Sequence, residues 1–264
     1  MEQTSPVIRV GAVSYLNTVP LVWGMLHGPQ RGQVELSFSI PSACSDQVER
    51  GDIAVGLVPL AEIARQELDM VPGVGISCFG AVRSILLFSK VPWKRVRTLA
   101  VDLSSRTSVE LARIILCERF GVEPAIAPHQ PDLNRMLSHA DAALVIGDPA
   151  LRLHLNAISF EWLDLGAEWL ALTGLPFVFA AWAGKAGLAL ENMAAIAHGS
   201  YEFGKAHLAD IAEQESPRRG ISRDLAERYF SRHIRFELGS KEQEGVNAFL
   251  QLADLGRPAA VAGA

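Results

Sequence analysis

Apolar and polar positions along this chain change period repeatedly. Residues 7–13 (Val-Ile-Arg-Val-Gly-Ala-Val) are a mostly apolar run, the pattern of a strand buried in a parallel sheet. Residues 19–27 follow as a helix, with Thr18 as N-cap and Pro20 in the first turn. Val34, Leu36, Phe38 and Ile40 alternate with polar neighbours, which is a strand of period two. A short helix over 42–49 ends at Gly51, a buried strand covers 53–58, and Pro59 opens another short helix to Arg65. Glu62 and Arg65 read as the solvated face of that helix. This β-α-β-α-β-α order predicts a parallel sheet with helices on both faces.

Strands over 76–79 and 84–89 come next, and Pro92-Trp93-Lys94 breaks the pattern. A second set then begins with a strand over 98–101, a polar turn over 102–106 and a helix over 107–119 closed by Gly121. Thr107 and Glu110 have capping-box spacing. A short strand at 125–127, a helix at 132–137 and a strand at 142–146 lead to a helix opening at Gly147-Asp148-Pro149. A strand over 160–163, a helix over 167–172 stopped by Thr173-Gly174, and a strand over 177–182 complete the set. From Gly187 onward amphipathic helices dominate, over 188–207, 222–231 and 241–255, and residues 257–264 read as a frayed end.

No Gly/Ser-rich spacer separates the two sets. That favours an α/β fold of two lobes joined by strands that cross directly, 84–89 and 177–182, with the helices after Gly187 returning to the first lobe. The expected division is 1–88 plus 180–264 for the first lobe and 89–179 for the second. Such a fold holds its ligand in the cleft and closes around it by a hinge.

Composition narrows the function. With 264 residues, half of them apolar, and a net charge of −5, the chain has material for a large core and no basic stripe, so nucleic acid is not an expected partner. Cys44, Cys78 and Cys117 are far apart and odd in number, which suits a reducing compartment. Cys117 falls inside a helical pattern and reads as a small buried hydrophobe. The first residues show no secretory signal and no apolar run reaches membrane-spanning length, so the expectation is a cytoplasmic protein with no membrane partner. No His-Glu-x-x-His, Gly-x-Gly-x-x-Gly, P-loop or Gly-x-Ser-x-Gly motif occurs, and neither a metal nor another cofactor is expected.

What stands out is a series of polar turns at strand ends. The first lobe contributes Ser14, Tyr15 and Asn17, the crossing contributes Arg83 and Ser84, and the second lobe contributes Ser104, Ser105, Arg106, Thr107 and Ser108, then Gly147 and Asp148, then Thr173-Gly174. In open α/β sheets the carboxyl ends of strands are where ligands bind. The 104–108 turn offers hydroxyls, a helix N-terminus and a guanidinium, a donor set suited to a carboxylate. Plain alternatives exist: Tyr15 as a packed ring on a capped turn, Arg106 as a solvated side chain, Arg83 as a surface arginine at a hinge, and Asp148 as an N-cap before Pro149. No His or Glu lies within these turns. By the residues alone this is a binder of a carboxylate-bearing small molecule.

Taken together, Val13-Ser14-Tyr15-Leu16-Asn17-Thr18, the run Ser84-Ile85-Leu86-Leu87-Phe88-Ser89-Lys90, Asp102-Leu103-Ser104-Ser105-Arg106-Thr107-Ser108, Gly147-Asp148-Pro149-Ala150-Leu151 and the run from Thr173-Gly174-Leu175-Pro176 to Ala180 resemble the chorismate dehydratase family of the futalosine route to menaquinone. The likeness runs from about residue 8 to 184, with the helical remainder similar in layout only. It implies a type II periplasmic-binding-protein fold and the dehydration of chorismate to 3-[(1-carboxyvinyl)oxy]benzoate. It implies that Asn17 and Ser84 lie at the reacting ring and that the 105–108 turn holds a carboxylate. Ser14, Tyr15, Arg83, Gly147 and Asp148 are the further expected substrate contacts. Leu60 and Ala81 depart from the serine and proline expected there, which touches fine substrate contacts more than the reaction. Two alternatives stand beside it. A sister enzyme acting on cyclic futalosine would need a base and room for a nucleoside, and the 104–108 and 147–149 turns argue against it. A binding module without chemistry has the same donors. The oligomeric state, monomer or homodimer, is open.

Overall fold

The computed structural model describes residues 7–255 apart from residue 103. The frayed end expected over 257–264 lies outside the described residues. The first set is β1 (Ile8–Val13), α1 (Val19–His27), β2 (Val34–Ser39), α2 (Pro41–Arg50), β3 (Val55–Pro59), α3 (Leu60–Arg65) and β4 (Asp69–Cys78). The second is β5 (Ile85–Ser89), β6 (Thr98–Val101), α4 (Arg106–Phe120), β7 (Ala125–Pro128), α5 (Leu133–His139), β8 (Ala142–Ile146), α6 (Gly147–Leu151), β9 (Glu161–Asp164) and α7 (Leu165–Thr173). The chain then returns through β10 (Phe177–Gly184), α8 (Leu188–Ala206), α9 (Leu208–Arg219), α10 (Arg223–Arg228), a π-helical turn at Tyr229–His233, β11 (Arg235–Leu238) and α11 (Ser240–Leu252).

Two sheets result, a six-stranded one ordered β11-β4-β10-β3-β1-β2 and a five-stranded one ordered β7-β6-β8-β5-β9. The expected all-parallel sheets are mixed. β2, β1 and β3 run parallel, but β10 is antiparallel to both β3 and β4, and β5 is antiparallel to β8 and β9. The reason is topological: each of these strands enters its sheet from the other lobe.

The crossings also differ from expectation. Residues 85–88 pair in the second sheet and residues 177–179 in the first, so the chain changes lobe between Cys78 and Ile85 and again between Asp164 and Phe177. No strand crosses. A short loop and helix α7 do. β4 begins earlier than expected because Pro72-Gly73, a turn signal in sequence, sits instead at a kink with Gly73 at φ +97°. α9 and β11 have no counterpart in the sequence reading.

An aromatic cluster fixes the second crossing. The Trp169 ring on α7 meets the Phe177 edge at 5.1 Å, and Phe177 meets Phe249 of α11 at 5.2 Å. The Trp169 indole N–H donates to the Pro176 carbonyl at 3.1 Å, so its one polar atom is satisfied where burial would otherwise make it costly. Cys44 and Cys78 are buried, and burial pushes the Cys44 thiol up to about 12. Cys117, expected inside, is exposed. Among the described residues no helix is long and apolar enough to cross a membrane.

α1 is buried along most of its length because α8 lies across it. Their close approach requires small residues. A Cβ at Gly204 would collide with the Pro20 carbonyl oxygen, whereas one at Gly199 would meet only the end of the Gln30 side chain, at 2.6 Å. Gly204→Ala is therefore expected to destabilise the protein by about 2–3 kcal/mol, the upper range for overpacking, and Gly199→Ala by clearly less. Urea unfolding of both variants checks the order; equal midpoints would show that the helices separate freely.

Candidate active site

β1 delivers the first polar turn. Leu16–Thr18 form a short 3-10 turn; Thr18 holds the expected N-cap position of α1, but its backbone is already helical and its hydroxyl makes no cap bond. The hydroxyl is buried without a protein partner. Tyr15 is half-buried, and its hydroxyl shares a hydrogen with Ser104 Oγ at 3.4 Å. Burial, the largest influence, raises the phenol above its ordinary range. The Tyr15 ring lies over Gly147, where φ is +62° and a Cβ would sit 2.9 Å from the ring. Glycine is needed there on both counts.

The second lobe supplies the N-terminus of α4. Ser105, not Thr107, is its N-cap, accepting from the Ser108 amide at 3.4 Å while the two hydroxyls pair at 3.0 Å. Thr107 is drawn away from capping because its Oγ1 accepts from the Ala61 amide across the cleft at 2.9 Å. Arg106 does not line the cavity. Its Nη1 donates to Glu62 Oε2 at 2.6 Å, and Glu62, expected on a solvated face, is 2% exposed and also holds Arg65. Arg106 is a latch between lobes in this closed form.

Asp148 is likewise committed. It is buried, accepts from the Leu16 amide at 2.9 Å and pairs with Arg219 at 2.6 Å. Its place is the second residue of α6, not the N-cap. Ser14 is exposed, and its carbonyl accepts from Arg219 at 2.7 Å. Arg83 has left-handed backbone, φ +65°. Its guanidinium donates to the carbonyls of Ala150 and Leu153 at 2.8 and 2.7 Å, closing the end of α6. Burial, the first influence, lowers its pKa.

What remains facing inward is a cavity of about 60 Å³ between the lobes. Tyr15, Asn17, Ser84, Ser105, Ser108 and Gly147 line it, with apolar walls that include Ile76, Ile146 and Phe179. Ser14, Arg83, Arg106, Thr107 and Asp148 do not. Among the described residues the lining holds no Asp, Glu, His, Lys or Arg. Asn17 Oδ1 is buried without a protein partner, and Ser84 Oγ accepts from the Tyr229 hydroxyl at 2.8 Å.

A model of a family described as menaquinone biosynthesis matches residues 8–254. The chain belongs to this family. Similar to it are two chorismate dehydratases. The one from Thermus thermophilus is 26% identical, covering 93% of this chain and 95% of that one, and the one from Campylobacter jejuni is 27% identical, covering 64% of each. Among solved structures, a protein from Archaeoglobus fulgidus superposes with a TM-score of 0.77 at 15% identity, covering 96% of this chain and 98% of that one. The alkanesulfonate-binding protein of Xanthomonas axonopodis pv. citri superposes at 0.69 and 12%, covering 98% and 97%. These likenesses give the fold: this menaquinone-biosynthesis family member has the two-lobed periplasmic-binding-protein architecture.

Two groups at the site escaped the sequence reading. Arg219 ends α9, and Arg218-Arg219-Gly220 is an ordinary helix-stop signal that could have located it. Tyr229 sits in a π-helical turn that no local pattern announces.

A cavity of about 150 Å³ holds one benzene, so the roughly 60 Å³ here requires the lobes to part before a substituted ring can enter. Glu62→Gln removes the charge that holds Arg106 and Arg65. The ligand-free variant is expected to show a larger radius of gyration by X-ray scattering and a stability loss of about 1–3 kcal/mol. An unchanged radius would mean that other contacts hold the closed form.

Proposed function

We propose that this protein is a carbon–oxygen lyase that dehydrates chorismate to 3-[(1-carboxyvinyl)oxy]benzoate and water. One observation carries the reading: Asn17 and Ser84, from different parts of the chain, meet in a small cavity whose far wall is the hydroxyl-lined N-terminus of a 15-residue helix. The dehydratase relatives, similar over most of the chain, support the choice of substrate.

The chemistry suits such a pocket. Loss of the ring hydroxyl and of the neighbouring ring proton makes the ring aromatic, so the driving force lies in the substrate. The ring carboxylate is vinylogous to the departing proton, and negative charge spreads toward it as the C–H bond breaks. Ser105, Ser108 and the first amides of α4 are assigned to that carboxylate, where they stabilise developing charge. Asn17 and Ser84 are assigned to the ring hydroxyl. Tyr15 and Gly147 shape the opposite wall.

An asparagine amide has no useful basicity, and a serine hydroxyl needs its own base. The acids around the site are engaged: Asp148 by Leu16 and Arg219, Glu62 by Arg65 and Arg106, and Asp102 by the Ser104 amide at 2.9 Å. The substrate brings a carboxylate on its enolpyruvyl arm, tethered to the carbon that loses the proton. Tethering gives high effective molarity, so a weak base suffices in fixed geometry. In this reading the arm carboxylate takes the proton, the C–O bond breaks, and hydroxide leaves with that proton as water, regenerating the carboxylate.

Purified protein mixed with chorismate is expected to form an aromatic absorbance belonging to the benzoate product. Saturable binding with no spectral change would mark a binding module instead. Glu62→Gln and Asp102→Asn are expected to keep kcat within roughly tenfold, less than loss of a general base costs. An analogue esterified on the arm should bind without turning over. Abolished turnover in a folded amide variant that still binds product would assign the base to the protein.

A further inference from the structure

The dehydratase reading uses Ser84 as a hydrogen-bond donor, yet a serine hydroxyl rotates and can equally well accept. Its surroundings restrict that choice. Ser84 is 2% exposed and lines the cleft. Its Oγ accepts from the Tyr229 phenol at 2.8 Å, and among the described residues no other hydrogen-bond partner of Oγ is present. Tyr229 itself is 1% exposed and does not line the cleft.

We propose that Tyr229 is a positioning residue that fixes the Ser84 hydroxyl as a donor pointing into the cleft. A hydroxyl has one hydrogen and two lone pairs. Once a lone pair of Ser84 Oγ is taken by the phenol proton, its own hydrogen must lie elsewhere, and the cleft is the side left open. In the reverse arrangement, with Ser84 donating to Tyr229, the buried phenol proton would have to leave the acceptor that stands 2.8 Å away and turn toward the Asn17 side chain, the other polar group beside it.

The phenol keeps its proton for reasons of environment. Burial is the largest influence and raises its pKa well above the ordinary range; the negative charge of Asp148 and the nearby Cys78 thiol act in the same direction, against opposing influences from Ser84 and Asn17. The donor direction is therefore constant across the neutral range. The π-helical turn is what brings the ring there. It follows directly on α10 and ends at His233, whose ring meets the Ala81 carbonyl at 2.9 Å. One short segment thus touches the crossing loop on either side of Arg83.

The result is a matched pair at the cleft floor. Ser84 offers a hydrogen, and Asn17 Oδ1, buried without a protein partner, offers a lone pair. A ligand hydroxyl needs one of each. It would donate to Asn17 and accept from Ser84, and a donor held on the departing oxygen is worth more in the transition state than in the ground state. This inference rests on the dehydratase reading for its substrate but not for the orientation of Ser84.

Four full-length proteins test it: wild type, Tyr229→Phe, Ser84→Ala and the double variant, each checked for folding by its melting temperature. Tyr229→Phe is expected to lower kcat about 10- to 100-fold, as loss of an outer supporting hydrogen bond does at other sites, with KM changed no more than about threefold. Ser84→Ala is expected to cost about 100- to 1,000-fold, and the double variant to match Ser84→Ala within about twofold, since Tyr229 acts only through Ser84. In proton NMR the wild type should show a slowly exchanging phenol proton that vanishes in Tyr229→Phe and shifts in Ser84→Ala. A kcat for folded Tyr229→Phe within about twofold of wild type, additive losses in the double variant, or a phenol proton indifferent to Ser84→Ala would overturn the proposal. Wild type that makes no benzoate while its phenol proton responds to Ser84→Ala would sink the dehydratase reading and leave the hydroxyl orientation standing.

Discussion

One buried carboxylate holds both crossings between the lobes. Asp164 ends β9 and caps α7, accepting from the Gly166 and Ala167 amides at 3.0 and 3.2 Å, and it reaches back to the amides of Val82 and Arg83 at 2.9 and 2.6 Å. Burial raises its pKa while these four amides lower it, and burial is the larger influence. The group is retained despite that cost because four N–H groups, two of them buried and two half-buried, would otherwise lose their acceptor. The same bonds hold Arg83 at a positive φ, a conformation that costs a non-glycine residue about 1–3 kcal/mol unless its surroundings impose it. The next residue is Ser84. The placement of the cleft hydroxyl thus follows from a cap on a helix in the other crossing.

Closure has a related logic. The lobes meet through Ala61 with Thr107, Leu16 with Asp148, Tyr15 with Ser104 and Arg106 with Glu62. All four engage the polar turns at strand ends that read as ligand contacts in sequence. A donor-rich turn in a two-lobed protein has two possible partners, the ligand and the opposing lobe, and residue type does not distinguish them. Ser105 and Ser108 face inward because they cap one another at the very start of α4. Arg106 and Thr107, on adjacent positions of the same turn, are carried round to the opposing lobe by the helical rotation.

That distinction marks the limit of what the chain spells out locally. The alternation of strand and helix was legible through Gly184, since periodicity, the glycines after α2, α4 and α7, and Pro20 each act over a few residues. Two lobes with a ligand cleft between them also followed from the repeated set and the missing spacer. Strand direction in β10 and β5 was not legible, because it depends on which lobe the chain arrives from. Nor was β4 beyond its last few residues, where a kinked strand and a turn share the Pro72-Gly73 signal. Asn17, Ser84, Ser105, Ser108, Tyr15 and Gly147 were named from their turns and do come together, whereas Tyr229 reaches Ser84 from 145 residues away, a relation set by tertiary packing alone.

The inward-facing set has a consequence for how the proposed reaction would be driven. Asn17 comes from the first lobe, Ser84 from the crossing loop, and Ser105 and Ser108 from the second lobe. Open lobes separate the first from the last, so the full constellation exists only when closed. With neutral donors and no base among the described lining residues, the protein's contribution is orientation and exclusion of water rather than proton transfer of its own. Under that arrangement the latch residues act on rate without touching substrate: Arg106 and Glu62 set how much of the time the constellation is complete. The balance is constrained from both sides, since a latch strong enough to close an empty cleft also opposes the opening that substrate entry and product release require. Arg106 is partly exposed, at 42%, which keeps the contact weak enough to break, while the burial of Glu62 keeps it directed at one partner lobe.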